Sequence, residues 1–159
     1  MPAEWAAHEA TWLTWPKNKI TWPGKMLLTV ENIYLDMMRE LLTGEKVHLI
    51  VPDTKTAERV WTRLRGKAET SRLHFHLVDA VDTWIRDYGP IFVKKGTERA
   101  FTKWTFNAWG GKYKDLALDN GVVNRLSYLK NFKRIDVKLV MEVGSIDMNG
   151  EGTCLTTEQ

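Results

Sequence analysis

Val47 to Val51 reads Val-His-Leu-Ile-Val, a run that is apolar on both faces of an extended chain. A strand of this kind needs cover on both sides, which suits a sheet flanked by helices. Helix patterns bracket it. Thr29 to Thr43 places Val30, Ile33, Tyr34, Met37 and Leu41 at helical spacing, with Gly44 as a stop. Asp53 is placed to cap a second helix carrying Ala57, Val60, Trp61 and Leu64 on one face and ending at Gly66. Thr11 to Trp15 and Leu73 to Val78 read as the flanking strands.

The remainder mixes shorter elements. Ile91 to Val93 and Phe101 to Phe106 have strand character. Leu116 to Leu129 offers Leu118, Val122, Leu126 and Leu129 as a third helix, interrupted by Gly121. Val137 to Met141 is a further strand. Ser145 to Met148 and Thr153 to Thr157 flank Asn149-Gly150, a strong hairpin signal. This order predicts an α/β or α+β chain rather than a bundle or a sandwich, and it suggests a repeated unit.

Composition excludes several classes. With 43% hydrophobic and 27% charged residues the chain is neither disordered nor a coiled coil. No apolar run approaches the ~20 residues of a membrane helix, and Met1 to Ala10 has no apolar signal-peptide core. One cysteine, Cys154, excludes an internal disulfide and a multi-cysteine zinc site. No His or cation neighbours it in sequence, so it reads as a small core residue. The net charge is only +3 and the basic residues are scattered, which gives no nucleic-acid footprint. His74 and His76 point the same way on a strand, but no third metal ligand is evident nearby, so no metal site is expected. At 159 residues the chain is one domain or part of a larger one, and its uncapped strand-like arm from Thr153 to Gln159 leads us to expect a piece of a longer protein.

Three clusters can carry chemistry. Asp82 to Pro90 (DTWIRDYGP) gathers Trp, Arg, Asp and Tyr beside a Gly-Pro turn. Read as extended chain, it puts Trp84, Arg86 and Tyr88 on one face and Asp87 with Ile85 on the other, covered face. Asp87 there needs a cation, either Arg86 in a structural pair or a cationic ligand. Met141 to Asp147 sets Glu142 and Asp147 around Gly144, as an acidic pocket or as ordinary turn chemistry. Phe106 to Tyr113 (FNAWGGKY) carries Gly-Gly, a mobile or close-approach loop with Trp109 as lid or stacking surface, and its glycine pattern matches no nucleotide motif. The chain has 8 tryptophans, several beside Pro or Gly, where they line pockets or pack corners.

Together with the opening MPAEW, the HEATW segment and EVGSIDMNGEGTCLTTEQ (142–159), these clusters resemble the agmatine deiminase family, grouped with bacterial-type peptidylarginine deiminases among the guanidine-modifying penteins. The resemblance runs the length of the chain. It implies a pentein-type α/β propeller of ββαβ-like units, here incomplete with about two to three units, so that 1–159 is the N-terminal part of one deiminase domain. It implies hydrolysis of agmatine to N-carbamoylputrescine and ammonia, a step toward putrescine, through a covalent amidino-cysteine, with a His moving protons and no cofactor. Asp87 matches the guanidinium-binding aspartate, Trp84 and Trp109 match pocket-lining aromatics, and Glu142 matches the glutamate that orients the catalytic His. That His, a second guanidinium-binding Asp and the nucleophilic Cys come later in the family, and Cys154 does not match the nucleophile. Where the family has Glu-Gly-Gly, this chain has Glu142-Val143-Gly144; Val143 would be strained if that position takes positive φ. The expected partner is the guanidinium substrate, in the cytoplasm, without nucleic acid or membrane. Homo-oligomers are compatible with the family, and unpaired strand edges predict self-association of the isolated chain. Peptidyl-arginine is the alternative substrate, and a non-catalytic guanidinium- or polyamine-binding module is the alternative class.

Overall fold

The computed structural model describes residues 1–157. Two compact units are present: His8–Thr83, and Trp84 onward together with Met1–Ala7.

The first unit alternates β1 (Ala10–Thr14), α1 (Met26–Gly44), β2 (Lys46–Val51), α2 (Thr54–Leu64) and β3 (Leu73–Leu77). The strands are parallel in the order β1-β2-β3, with Leu13 opposite Leu49 and Leu49 opposite Phe75. Alternation therefore puts Leu13, Val47, Leu49, Val51, Leu73 and Phe75 on one face. Both helices press on that face, adding Leu35, Met38, Leu42, Val60 and Leu64 to a single core. Val47 to Val51 are all buried, as a strand covered on both faces requires. Asp53 caps α2 by accepting the Thr56 N–H at 2.7 Å, as its position predicts.

Helix α1 differs in two respects. It starts at Met26 rather than Thr29, and its buried stripe is Glu31, Leu35, Met38 and Leu42, whereas Ile33 and Met37 are exposed. Apolar residues cover more than half the circumference, leaving Asn32, Asp36 and Glu40 on the polar side, and a carboxylate marks the true inner face. Glu31 is buried because Arg59 on α2 grips it through two hydrogen bonds, at 2.9 and 3.3 Å, with Arg63 nearby.

In the second unit, α3 (Ile85–Tyr88) precedes β4 (Ile91–Lys95), β5 (Glu98–Thr105) and β6 (Lys133–Val140). β4 and β5 form an antiparallel hairpin, and β6 joins β5 in parallel. The helix expected over Leu116 to Leu129 is replaced by three short turns, Lys114–Gly121, Val122–Arg125 and Ser127–Asn131. The Asn120 side-chain oxygen in this segment accepts the Phe106 N–H at 2.9 Å and the Lys103 ammonium at 2.6 Å, which ties the segment to the end of β5. Leu116, Val122, Leu126 and Leu129 are still buried, but Leu118 is exposed. Along β6, Ile135, Leu139 and Val140 are exposed.

β7 (Ile146–Met148) and β8 (Cys154–Thr156) make the expected hairpin, with Met148 opposite Cys154. The connection is a five-residue loop, Asn149 to Thr153, rather than a two-residue turn, because the Asn149 side chain accepts the Glu151 and Thr153 N–H groups. Cys154 is exposed on this hairpin and is not a core residue. Glu158 and Gln159, which close the matched segment, lie outside the described residues.

Candidate active site

Trp84 to Tyr88 is not extended. Ile85–Tyr88 forms one helical turn, closed by Asp87 N–H and Tyr88 N–H to the Trp84 carbonyl at 2.9 and 3.2 Å and by Gly89 N–H to the Ile85 carbonyl at 2.9 Å. Trp84-Ile85 are apolar and Arg86-Asp87 polar, a pairing that an extended strand does not favour, and the turn satisfies its own backbone within five residues and needs no neighbouring strand. Successive side chains on such a turn diverge by about 100°, so the face sharing expected of an extended chain does not occur. Tyr88 goes into the core against Phe106, with ring centroids 6.0 Å apart. The Arg86 guanidinium turns outward to the Glu4 carboxylate. Asp87 is half-buried, and its carboxylate lies against the Gly144 backbone.

Burial raises the Asp87 pKa above the ordinary aspartate value; the Gly144 N–H pulls it back, the Glu142 carboxylate raises it, and Arg86 lowers it at longer range. Two carboxylates are thus brought close enough to feel each other in a partly dry environment. Glu142 leads into the 3-10 turn Val143–Ser145, where its carbonyl accepts both the N–H and the hydroxyl of Ser145, at 3.0 and 2.6 Å. Among the described non-glycine residues positive φ is confined to Ala108 and Trp109, so Val143 carries none of the strain anticipated for it. Asp147 does not join the pair: it is exposed, and its carboxylate accepts the neighbouring Met148 N–H.

Trp109 occupies an unusual backbone. Ala108, Trp109, Gly110 and Gly111 have φ of 56°, 55°, 72° and 78°, a left-handed turn held by Gly111 N–H to the Asn107 carbonyl and Gly110 N–H to the Asn107 side chain, both at 2.8 Å. An added Cβ at Gly110 or Gly111 would meet nothing within 4 Å, so these glycines supply handedness rather than close approach. The turn directs the Trp109 ring edge-on against Trp84, Phe106 and Tyr113, with centroids 5.6, 5.2 and 5.8 Å away. Trp84 caps α3 and is partly exposed. Trp84 and Trp109 therefore meet as a pair beside the turn that bears Asp87; spacing alone does not single out Phe106 and Tyr113 as the rings packed on Trp109, or Gly144 as the neighbour of Asp87.

The first unit holds a second cluster that sequence spacing understated. The parallel register aligns Trp12, His48 and His74 across three strands. Their rings stack at 4.6 Å (Trp12 to His48) and 5.0 Å (His48 to His74), and His48 Nδ1 lies 2.7 Å from His76 Nε2. His48 was missed because strand pairing, not sequence proximity, brings it to His74 and His76. Among the described residues no group of three or more His, Cys, Asp or Glu is arranged to hold a metal. In the same unit Asp82 is fully buried; its carboxylate accepts from Asn18 at 3.3 Å, from the Thr21 hydroxyl and from the Thr83 N–H at 2.8 Å, which ties it to structure.

The chain resembles known proteins along its whole length. The chain is 32% identical over 167 residues to the agmatine deiminase of Ectopseudomonas mendocina, covering 100% of this chain and 43% of the relative. It is 30% identical over 174 residues to the agmatine deiminase of Medicago truncatula, covering 100% of this chain and 44% of the relative. A substrate-bound C. jejuni agmatine deiminase superposes with a TM-score of 0.80 at 30% identity, over 97% of this chain and 44% of that one. The fold is accordingly the pentein-type α/β fold, and the chain spans under half the length of these relatives. With all of residues 1–159 matching its pattern, the chain belongs to the Porphyromonas-type peptidyl-arginine deiminase family.

Proposed function

We propose that residues 1–159 form the guanidinium-clamping part of an agmatine deiminase, the N-terminal part of a single deiminase domain. The observation that carries this reading is the separation of Arg86 from Asp87. Arg86 gives its guanidinium to Glu4, while the half-buried Asp87 carboxylate lies against the Gly144 backbone and faces the influence of Glu142. A carboxylate in that state gains most from a planar cation that offers paired N–H donors. Asp87 takes the substrate guanidinium, Trp84 and Trp109 flank it, and Glu142 orients the His that serves as acid and base.

The reaction in the whole protein is attack of a cysteine thiolate on the guanidinium carbon, expulsion of ammonia, and hydrolysis of the amidino-cysteine to N-carbamoylputrescine. Clamping contributes orientation, which sets the carbon for attack. Within these 159 residues the one cysteine is Cys154, exposed on the β7–β8 hairpin with its thiol 3.7 Å from the Leu155 carbonyl, and it is not assigned as the nucleophile. No described helix is long and apolar enough to cross a membrane, and we place the protein in the cytoplasm acting on a small soluble substrate, with self-association through exposed apolar strands such as β6.

Peptidyl-arginine is the second reading, favoured by the description of the matched family. Calorimetry of this chain with agmatine, a blocked arginine amide and putrescine separates the cases. The proposal expects agmatine to bind and putrescine, which lacks the guanidinium, not to. Equal binding of agmatine and putrescine would leave only a polyamine site, and exclusive binding of the arginine amide would favour the peptidyl substrate. Steady formation of ureido product by this chain alone would refute the assignment of the nucleophile elsewhere.

A further inference from the structure

We infer that Gly144 is the positioning residue for the Asp87 carboxylate, fixing it by the side chain it lacks. The inference deepens the reading of Asp87 as the guanidinium acceptor and rests on it. A Cβ built on Gly144 would lie 2.6 Å from Asp87 Oδ1 and 3.7 Å from Asp87 Cγ, and the next atom met is Arg86 Cγ at 4.0 Å. Gly144 does not have positive φ, so its backbone is open to any L-residue and the carboxylate is the sole obstacle. Val143, immediately before it, carries a full β-branched side chain at ordinary φ. Of the two positions after Glu142, the second is therefore the one that has to be glycine.

The obstacle is informative because of where it sits. The atom in the way is the end of an aspartate side chain, which can rotate aside at little cost to the fold. A methyl group at 144 would thus leave the protein folded and move the carboxylate by several tenths of an ångström, away from the 144 backbone. Misplacement on that scale at a reacting group is costly to orientation. Gly144 is not a catalytic residue; it acts through Asp87.

The test compares Gly144→Ala with Gly121→Ala. Gly121 has φ −85° and nothing within 4 Å of an added Cβ, so it controls for losing a glycine. Three readouts are taken on the full chain: the urea midpoint, the titration of the Asp87 carboxyl carbon by NMR, and agmatine affinity by calorimetry. Gly144→Ala is expected to keep the urea midpoint, raise the Asp87 titration midpoint by moving the carboxylate away from the Gly144 N–H, and weaken agmatine about tenfold or more. Gly121→Ala should change none of the three. An unaltered Asp87 titration in Gly144→Ala overturns the inference, as does a loss of affinity that tracks a fall in the urea midpoint. If the wild-type chain fails to bind agmatine, the reading of Asp87 falls, and the Asp87 titration in the two variants still decides the role of Gly144.

Discussion

The His48 ring turns the stability of the first unit into a measurable function of pH. It is 3% exposed, stacked between Trp12 and His74, and hydrogen-bonded to His76. That bond joins two neutral rings, one donating and one accepting; a second proton would set N–H against N–H. Burial, then the charges that would form on His76 and His74, then the Lys46 ammonium, hold His48 down from 6.5 to about 4, with Glu9 pulling weakly the other way. The unfolded chain therefore takes up a proton near pH 6.5 that the folded chain refuses until about 4. Stability from this ring is fully present above 6.5 and is lost as pH falls toward 4. At ~1.36 kcal/mol per pH unit the loss across the window is about 3 kcal/mol. Urea unfolding between pH 7 and pH 4 measures it, with His48→Phe as the reference: the variant keeps an aromatic ring in the stack, loses the titration, and cancels the carboxylates common to both proteins. The wild type should lose about 3 kcal/mol more than the variant. Parallel pH profiles would refute the argument.

Two further outcomes follow from individual contacts. Gly110→Ala should destabilise by about 1 kcal/mol in chemical denaturation although nothing crowds the site, since the cost lies in the positive φ of 72°; no change would mean that the turn relaxes. Glu4→Gln should alter stability by less than about 1 kcal/mol, because the Arg86 pair is exposed, yet it should weaken agmatine binding by freeing Arg86 to compete for Asp87. Unchanged affinity in Glu4→Gln would show that Arg86 never reaches that carboxylate.

Strong local signals carried over from sequence to structure. Asp53 capped its helix, the VHLIV run became a central strand covered on both faces, and Asn149 built a hairpin. These depend on residues within a few positions of each other or on burial alone. The failures needed information from elsewhere in the chain. The stripe of α1 was misplaced because Glu31 looks like a surface residue until Arg59 is beside it. The third helix gives way to short turns around Gly121, and Asn120 among them bonds back to Phe106 and Lys103, contacts that helical spacing does not carry. In the candidate site, Asp87, Trp84, Trp109 and Glu142 were all legible as residue types, but the helical turn that parts Arg86 from Asp87 is only four residues long, too short to show a helical period in the sequence. Gly144 was visible only as a glycine beside a glutamate; its meaning came from a carboxylate 57 positions earlier in the chain, which no pattern in the sequence announces.

The most direct measurement of the central claim is agmatine binding to wild type and Asp87→Asn across the acid range. Asparagine keeps an oxygen to face the Gly144 N–H and removes a charge that burial disfavours, so the variant should fold at least as stably as the wild type. A cation arriving at Asp87 favours its ionised form, so wild-type binding should release protons and tighten as pH rises through the raised Asp87 titration. The account predicts that Asp87→Asn abolishes both the binding and its pH dependence while the unfolding midpoint holds. Agmatine bound equally well by a folded Asp87→Asn protein would contradict it.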